Sequence, residues 1–240
     1  RASGQVVADA VLATIMERIT SGRLAAGDRV TESSLSRAVH ASRGHVREAL
    51  LALASSGLVD LEPRRGALVP APQVADVVET YAVRRALGAL LVRRAAHTAS
   101  GVALARVELA LADLVSAGET GDAWASGQAD IRFQDALARC TGMRRIPRMF
   151  IDLSAQISLF TAVMGVRYTY SIPQMIRDDT DLLQLITARD EPSAVRAWHA
   201  KMDDALSYMV GQLGSGSMTL RRQPAGGAKS AGEKALGSTS

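Results

Sequence analysis

The chain has 240 residues, enough for one small and one larger domain, and 48% of them are hydrophobic, enough for a real core. Aromatic residues are only 4%, which argues against a single-strand binder that stacks bases on exposed rings, and the lone Cys140 excludes an internal disulfide or a multi-cysteine zinc cluster. The net charge of +4 divides into nine Lys/Arg against seven Asp/Glu over 1–70, fifteen against sixteen over 71–211, and four against one over 212–240. Nucleic-acid binding would therefore rest on a few placed arginines rather than on bulk charge.

In chain order, residues 5–20 read as a first helix, with Val6, Val7, Ala10, Leu12, Ile15, Met16 and Ile19 at roughly helical spacing. It stops at Gly22, and a loop through Gly27 leads to Thr31, the expected N-cap of a short second helix ending at Val39. Three residues later Ser42 is the N-cap of a third helix. There Arg43 and Arg47 lie one turn apart on one face, and Val46, Leu50 and Leu53 line another. Two helices around so short a turn fit a helix-turn-helix, and arginines near the start of the second suit the DNA major groove, where they grip guanine O6/N7. Taken alone, the third helix fits an ordinary amphipathic helix with a solvated arginine face equally well. After Gly57, two short strands, LVDLE and ALVP, flank Arg64, Arg65 and Gly66 and predict a β-hairpin wing.

Beyond Pro72 no strand alternation appears. The spacing predicts six helices, at 73–99, 102–117, 122–139, 146–166, 173–188 and 192–212, with proline near the start of the last three. The fold class is therefore mainly α: a winged helix-turn-helix at 1–70 followed by an all-α bundle of six to seven helices at 73–211, with internal pockets as the natural ligand site. Residues 212–240 are rich in Gly, Ser, Ala and Lys, and are expected to be a passive, disordered basic tail. No apolar run approaches the roughly 18 residues of a membrane span. No secretory leader is legible, and the expected location is the cytoplasm.

The run GRLAAGDRVTESSLSRAVHASRGHVREALLALASSGLV from Gly22, closing with RGALV from Arg65, resembles the winged-helix domain of the GntR family of bacterial transcription regulators. The resemblance implies that Arg43 and Arg47 contact DNA, that Ser42 touches a phosphate, and that Gly66, with Arg65 beside it, sits near the groove. Thr31 belongs to the same DNA-facing set. Many members carry a bulkier residue and a proline where this chain has Gly44 and His45. His45 reads either as a change in base preference or as a solvated side chain.

The second half resembles the FCD-type effector domain of one branch of that family, through RRALG from Arg84, DIRFQ from Asp130 and ARDEPSA from Ala188. Many such domains hold a divalent metal with one aspartate and three histidines. The resemblance places Asp130 at the aspartate, but Gln134, Asp179 and Lys201 at the three histidine positions. Glutamine is a poor ligand for a transition metal, and a protonated lysine offers no lone pair. His199 lies about 200° of helix rotation from Lys201, so it is expected to point elsewhere. No cofactor and no metal are expected.

Helical phase places the same positions inward without any alignment: Asp130 and Gln134 beside Phe133 and Leu137, Asp179 with Ile176, Leu183 and Ile186, and Lys201 with Trp198, Met202 and Ala205. Buried charges have to be paired. Two readings stay open. In one, a Lys201 ammonium between two aspartates replaces the metal's charge as a fixed internal salt bridge. In the other, Arg84, Asp130, Gln134, Asp179 and Lys201 line a pocket for a small carboxylate or other polar effector. The expected whole is a homodimeric, ligand-responsive regulator, in the first place a repressor, on a short palindromic double-stranded operator. The alternative is an architectural DNA binder whose bundle only dimerises. No nucleophile-elbow, P-loop, dinucleotide-binding glycine or HExxH motif points to an enzyme.

Overall fold

The computed structural model describes residues 2–63, 66–165 and 171–214. Helix α1 (Ala2–Thr20) is followed by strand β1 (Arg29–Val30), α2 (Glu32–Ala38) and α3 (Arg43–Ser55). Strands β2 (Asp60–Glu62) and β3 (Gly66–Leu68) come next, then α4 (Val74–Thr98), α5 (Gly101–Glu119) and α6 (Ala123–Cys140). Helices α7 (Ile146–Met164), α8 (Ile172–Thr187) and α9 (Glu191–Gly214) complete the described chain. The predicted class holds: a helix-turn-helix with a small wing, then six helices among the described residues. None of these helices is long and apolar enough to cross a membrane.

The two caps expected in the first unit form as predicted. The Thr31 hydroxyl accepts from Ser34 N at 3.3 Å, and the Ser42 hydroxyl accepts from His45 N at 3.2 Å. Each satisfies one orphan donor of its helix, so α2 and α3 begin where the sequence places them.

Several details differ from the sequence reading. The segment expected to be a plain loop before Thr31 contains β1, which pairs antiparallel with β3 (Arg29 opposite Leu68, Val30 opposite Ala67) and makes a three-stranded sheet of order β1-β3-β2. Two residues are too few to show alternation, so only the pairing defines this strand. The buried stripe of α1 is Ala8, Val11, Ile15 and Ile19, while Val6 is 66% exposed. Between Val6 and Met16 apolar residues fall on nearly every face of the helix, so their spacing carries little phase information. The last helix runs to Gly214, past the boundary drawn at 211, because Leu213 still packs against the bundle. The remainder of the expected tail lies outside the described residues.

Two cores result. Ala8, Val11, Ile15, Val30, Leu35, Val46, Leu50 and Leu53 form that of the first unit, which also takes in Leu159 from α7. The other fills the bundle with Tyr81, Phe133, Phe150, Leu182, Trp198 and Met202 among others. Within it α4 and α9 press closely together at Gly88, where a β-carbon would run into the Trp198 indole. Gly88→Ala is therefore expected to destabilise the protein by about 1–3 kcal/mol through overpacking. Denaturant unfolding read by Trp fluorescence, with a lowered midpoint at unchanged slope, measures this.

Candidate nucleic-acid interface and internal charge cluster

Two places concentrate polar chemistry. The first is the outer face of the helix-turn-helix. Ser42, Arg43, His45 and Arg47 are all exposed along the first turns of α3, and Val46, Ala49, Leu50 and Leu53 hold the opposite face of that helix in the core. Gly66 opens β3 with φ +80°, a left-handed conformation natural to glycine. Arg65 lies outside the described residues. Between α3, the start of α2 and the wing is a hollow of about 520 Å³ lined by Arg29, Thr31, Glu32, Arg43, Arg47 and Gly66.

Two residues of this hollow escaped the sequence reading. Arg29 on β1 is exposed, and a β-carbon on Gly66 would come within 3.9 Å of its guanidinium, so it stands at the root of the wing. Glu32 holds Arg47 in a two-pronged pair, Nε to Oε1 at 2.8 Å and Nη2 to Oε2 at 2.9 Å. That hydrogen-bonded contact keeps the Glu32 carboxyl below, and the Arg47 guanidinium above, their ordinary pKa values. The fork fixes the plane of a side chain that is otherwise 69% exposed. Glu32 and Arg47 are fifteen positions apart and meet only through the turn, so no short-range spacing announces the pair.

The second place is internal. Asp130, Gln134, Asp179 and Lys201, predicted to face inward, do so and converge, and Arg84, the further candidate for a pocket, is buried beside them. Lys201 Nζ donates to Asp130 Oδ1 at 2.7 Å and lies 2.8 Å from Asp179 Oδ1. Gln134 donates to Asp130 Oδ2 at 2.7 Å and accepts from Arg84 Nη2 at 2.8 Å. Arg84 Nη1 then reaches α7, donating to Ser154 Oγ at 2.6 Å and to the Phe150 carbonyl at 3.2 Å, while its guanidinium lies 4.0 Å over the Phe150 ring. The Ser154 hydroxyl in turn donates a hydrogen bond to Asp135 Oδ1 at 2.6 Å. The chain of contacts runs across α8, α9, α6, α4 and α7.

Burial alone would lower the Lys201 pKa, but Asp130 and Asp179 outweigh it and hold the ammonium protonated, above its ordinary range. Burial and the neighbouring Asp130 carboxylate push Asp179 well up, against the pull of Lys201. Burial also raises Asp135, although Ser154 donates to it. Asp179 is the least satisfied member, with the Lys201 ion pair but no hydrogen bond of good geometry among the described residues. His199 points away, as its phase predicts. It is half-exposed, near Arg85 and Asp203, and burial followed by Arg85 lowers its pKa.

A divalent metal does not fit this donor set. Lys201 puts a fixed positive charge between the two carboxylates a metal would need, and Gln134 is already spent on Asp130 and Arg84. Among the described residues no three His, Cys, Asp or Glu side chains are grouped to hold an ion.

The comparisons with known proteins agree in both halves. Residues 7–69 match the family described as bacterial regulatory proteins, gntR family, and residues 79–204 match the FCD domain. An uncharacterised HTH-type transcriptional regulator of Mycobacterium tuberculosis is 28% identical over 112 residues; the match covers 47% of this chain and 46%, less than half, of that relative. Among solved structures, a GntR transcriptional regulator from Rhodococcus sp. RHA1 superposes with a TM-score of 0.71 at 25% identity, covering 88% of this chain and 99% of that one. Escherichia coli McbR/YncC shares the fold, with a TM-score of 0.72 at 20% identity, covering 86% and 98%.

Removing the ammonium leaves two buried carboxylates facing each other. Lys201→Met is expected to cost about 3–5 kcal/mol near neutral pH. In that variant Asp179, already raised by burial, loses the downward pull of Lys201, so its folded pKa stands above its unfolded one, the folded state binds more protons, and stability rises as pH falls from the raised value toward the ordinary carboxylate range. Urea unfolding at several pH values checks both the size and the sign.

Proposed function

From the premise that this chain belongs to the GntR family of bacterial regulatory proteins, with an FCD domain as its second unit, we propose that it is a DNA-binding transcription regulator, a repressor acting as a homodimer on a short palindromic operator. The observation that carries the reading is the hollow between recognition helix and wing, where Arg29, Arg43 and Arg47 face outward against the single carboxylate of Glu32. Three guanidiniums in a groove framed by a helix and a hairpin suit a phosphate-lined duplex, with the exposed N-terminal end of α3 entering the major groove. Ser42, whose oxygen already caps α3, keeps its hydroxyl proton for a phosphate. Two half-sites about 34 Å apart need two such heads, which is the reason for a dimer.

The test uses a duplex selected by the wild-type protein from a random library. Arg47→Ala is expected to cost about 1–3 kcal/mol of specific binding and to relax selection at one base pair. Arg29→Ala and Arg65→Ala weaken all sequences more evenly, each lowering the slope of log affinity against log salt by about one. Unchanged affinity in all three would sink the assignment of this helix and wing.

The bundle is proposed to sense a small polar metabolite, a carboxylate first, around Arg84, Asp130, Gln134, Asp179 and Lys201, and to do so without a metal. The closed pairing of Lys201 favours, as a second reading, an architectural protein whose bundle only dimerises. A small organic acid that raises the melting temperature and also shifts operator affinity separates the two. Elemental analysis of the purified protein is expected to find no stoichiometric zinc, nickel or manganese. Lys201→His combined with Gln134→His is expected to create metal affinity, since Asp130 and Asp179 already supply oxygen ligands. One metal per chain in the wild type would overturn the metal-free reading.

A further inference from the structure

Helix α7 belongs to both cores. Phe150 and Ser154 face the bundle, where Arg84 grips them, and Leu159, Ala155, Ala162 and Val163 face the first unit and pack into its core. Ser154 and Leu159 are five residues apart, about 140° around the helix and roughly 7.5 Å along it, so one rigid rod carries both contacts on different faces. A polar contact reinforces the apolar one. Gln156 Nε2 donates to the carbonyl of Ser56 at 2.8 Å, and Ser56 is the C-cap of α3, the helix that carries Arg43 and Arg47. On its other side Gln156 Oε1 accepts from Thr80 of α4 at 3.5 Å. Gly57, at φ +66°, brings its backbone so close that a β-carbon there would lie 3.3 Å from the Gln156 amide. The covalent link between the units, Pro70–Ala71–Pro72, is stiffened by two fixed φ angles, and a cavity of about 290 Å³ lies beside it, lined by Gly57, Asp60, Glu79 and Gln156 among others.

We propose that Gln156 and Leu159 are positioning residues for DNA binding, seating the recognition helix on α7, and that Ser154 ties this seat to the buried charge cluster through Arg84. None of the three belongs to the exposed face of α3 or to the wing: Ser154 and Leu159 are buried and Gln156 is half-buried on α7. They act by fixing the angle at which α3 is presented, and so the separation at which two heads meet two half-sites. The inference rests on the DNA-binding reading above and names the route by which the bundle acts on it.

The test is a mutant cycle in the full chain, with a duplex selected by the wild-type protein as probe, and melting curves to confirm that each variant is folded. Ser154→Ala, which removes one grip of Arg84 on α7 far from the DNA-facing arginines, is expected to change operator affinity by about fivefold or more. It should also shift the preferred half-site spacing in duplexes lengthened or shortened by one base pair. In a Gln156→Ala background, and in a Leu159→Ala background if that variant folds, the same change should have little further effect, because contacts along one route are not additive. Unchanged affinity and spacing preference in Ser154→Ala would overturn the inference. So would a Ser154→Ala effect of undiminished size in the Gln156→Ala background. A wild-type protein that selects no duplex overturns the DNA-binding reading, and this one with it, whereas the two preceding results overturn this one alone.

Discussion

A protonated lysine with almost no access to solvent is the constraint around which the bundle is arranged. Desolvating an ammonium or a carboxylate costs several kcal/mol per ion even after relaxation, and attraction offsets that only when geometry is close and the remaining polar atoms are occupied. Lys201 meets the first condition with oxygens at 2.7 and 2.8 Å. Gln134 meets much of the second, since its amide donates to Asp130 and accepts from Arg84. Two cations, Lys201 and Arg84, stand among three carboxyls, and burial pushes both Asp179 and Asp135 toward their neutral forms. Such a set is close to neutral without help from an ion. It is also brittle, because each member holds its neighbour in place and the loss of one strands another.

The external pair of Glu32 and Arg47 obeys different physics. Arg47 stands largely in water and Glu32 is half-buried at the surface, where screening and side-chain entropy leave an ion pair little to contribute to stability. What remains is orientation. A carboxylate gripping two guanidinium nitrogens fixes the plane in which the others are offered, and a planar fork reads guanine only when its plane matches that of the base. Paired opposite charges thus act as a structural support inside the bundle and, under the proposed DNA-binding role, as an aiming device on the surface, and burial separates the two roles.

This division explains what was legible in the sequence. Asp130 with Gln134, Asp179 with Leu183, and Lys201 with Trp198 each lie three or four positions apart on one helix. Periodicity alone therefore places Asp130, Gln134, Asp179 and Lys201 inward and turns His199 away, whereas Asp135 and Ser154 join the cluster only through the tertiary fold. The caps at Thr31 and Ser42 were legible for the same short-range reason. Strand β1 was not, because two residues acquire meaning only by pairing with β3. The phase of α1 is blurred by apolar residues on nearly every face of its middle turns, and Glu32 finds Arg47, as Gln156 finds Ser56, only through the tertiary fold. Pattern reading recovers what one element dictates to itself and misses what two elements dictate to each other.

The internal cluster also restricts how a ligand can act on the molecule. Apart from Arg84 Nε and the two Asp179 oxygens, its buried polar atoms are hydrogen-bonded among the described residues, so an entering group has to replace those bonds one for one or leave buried polar atoms unpaired at about 1–3 kcal/mol each. A purely apolar ligand cannot do this, whereas one bearing its own donors and acceptors can. The most exposed point of failure is Arg84, whose Nε has no hydrogen-bond partner among the described residues and whose other nitrogens bond Gln134 on one side and α7 on the other. Moving Gln134 toward a ligand withdraws one anchor of that guanidinium and alters its hold on Ser154 and the Phe150 carbonyl. Packed helices shift as rigid bodies rather than deforming smoothly, so on the proposed route a displacement of α7 would carry Leu159 and Gln156 with it and, through Ser56, would reach the end of α3.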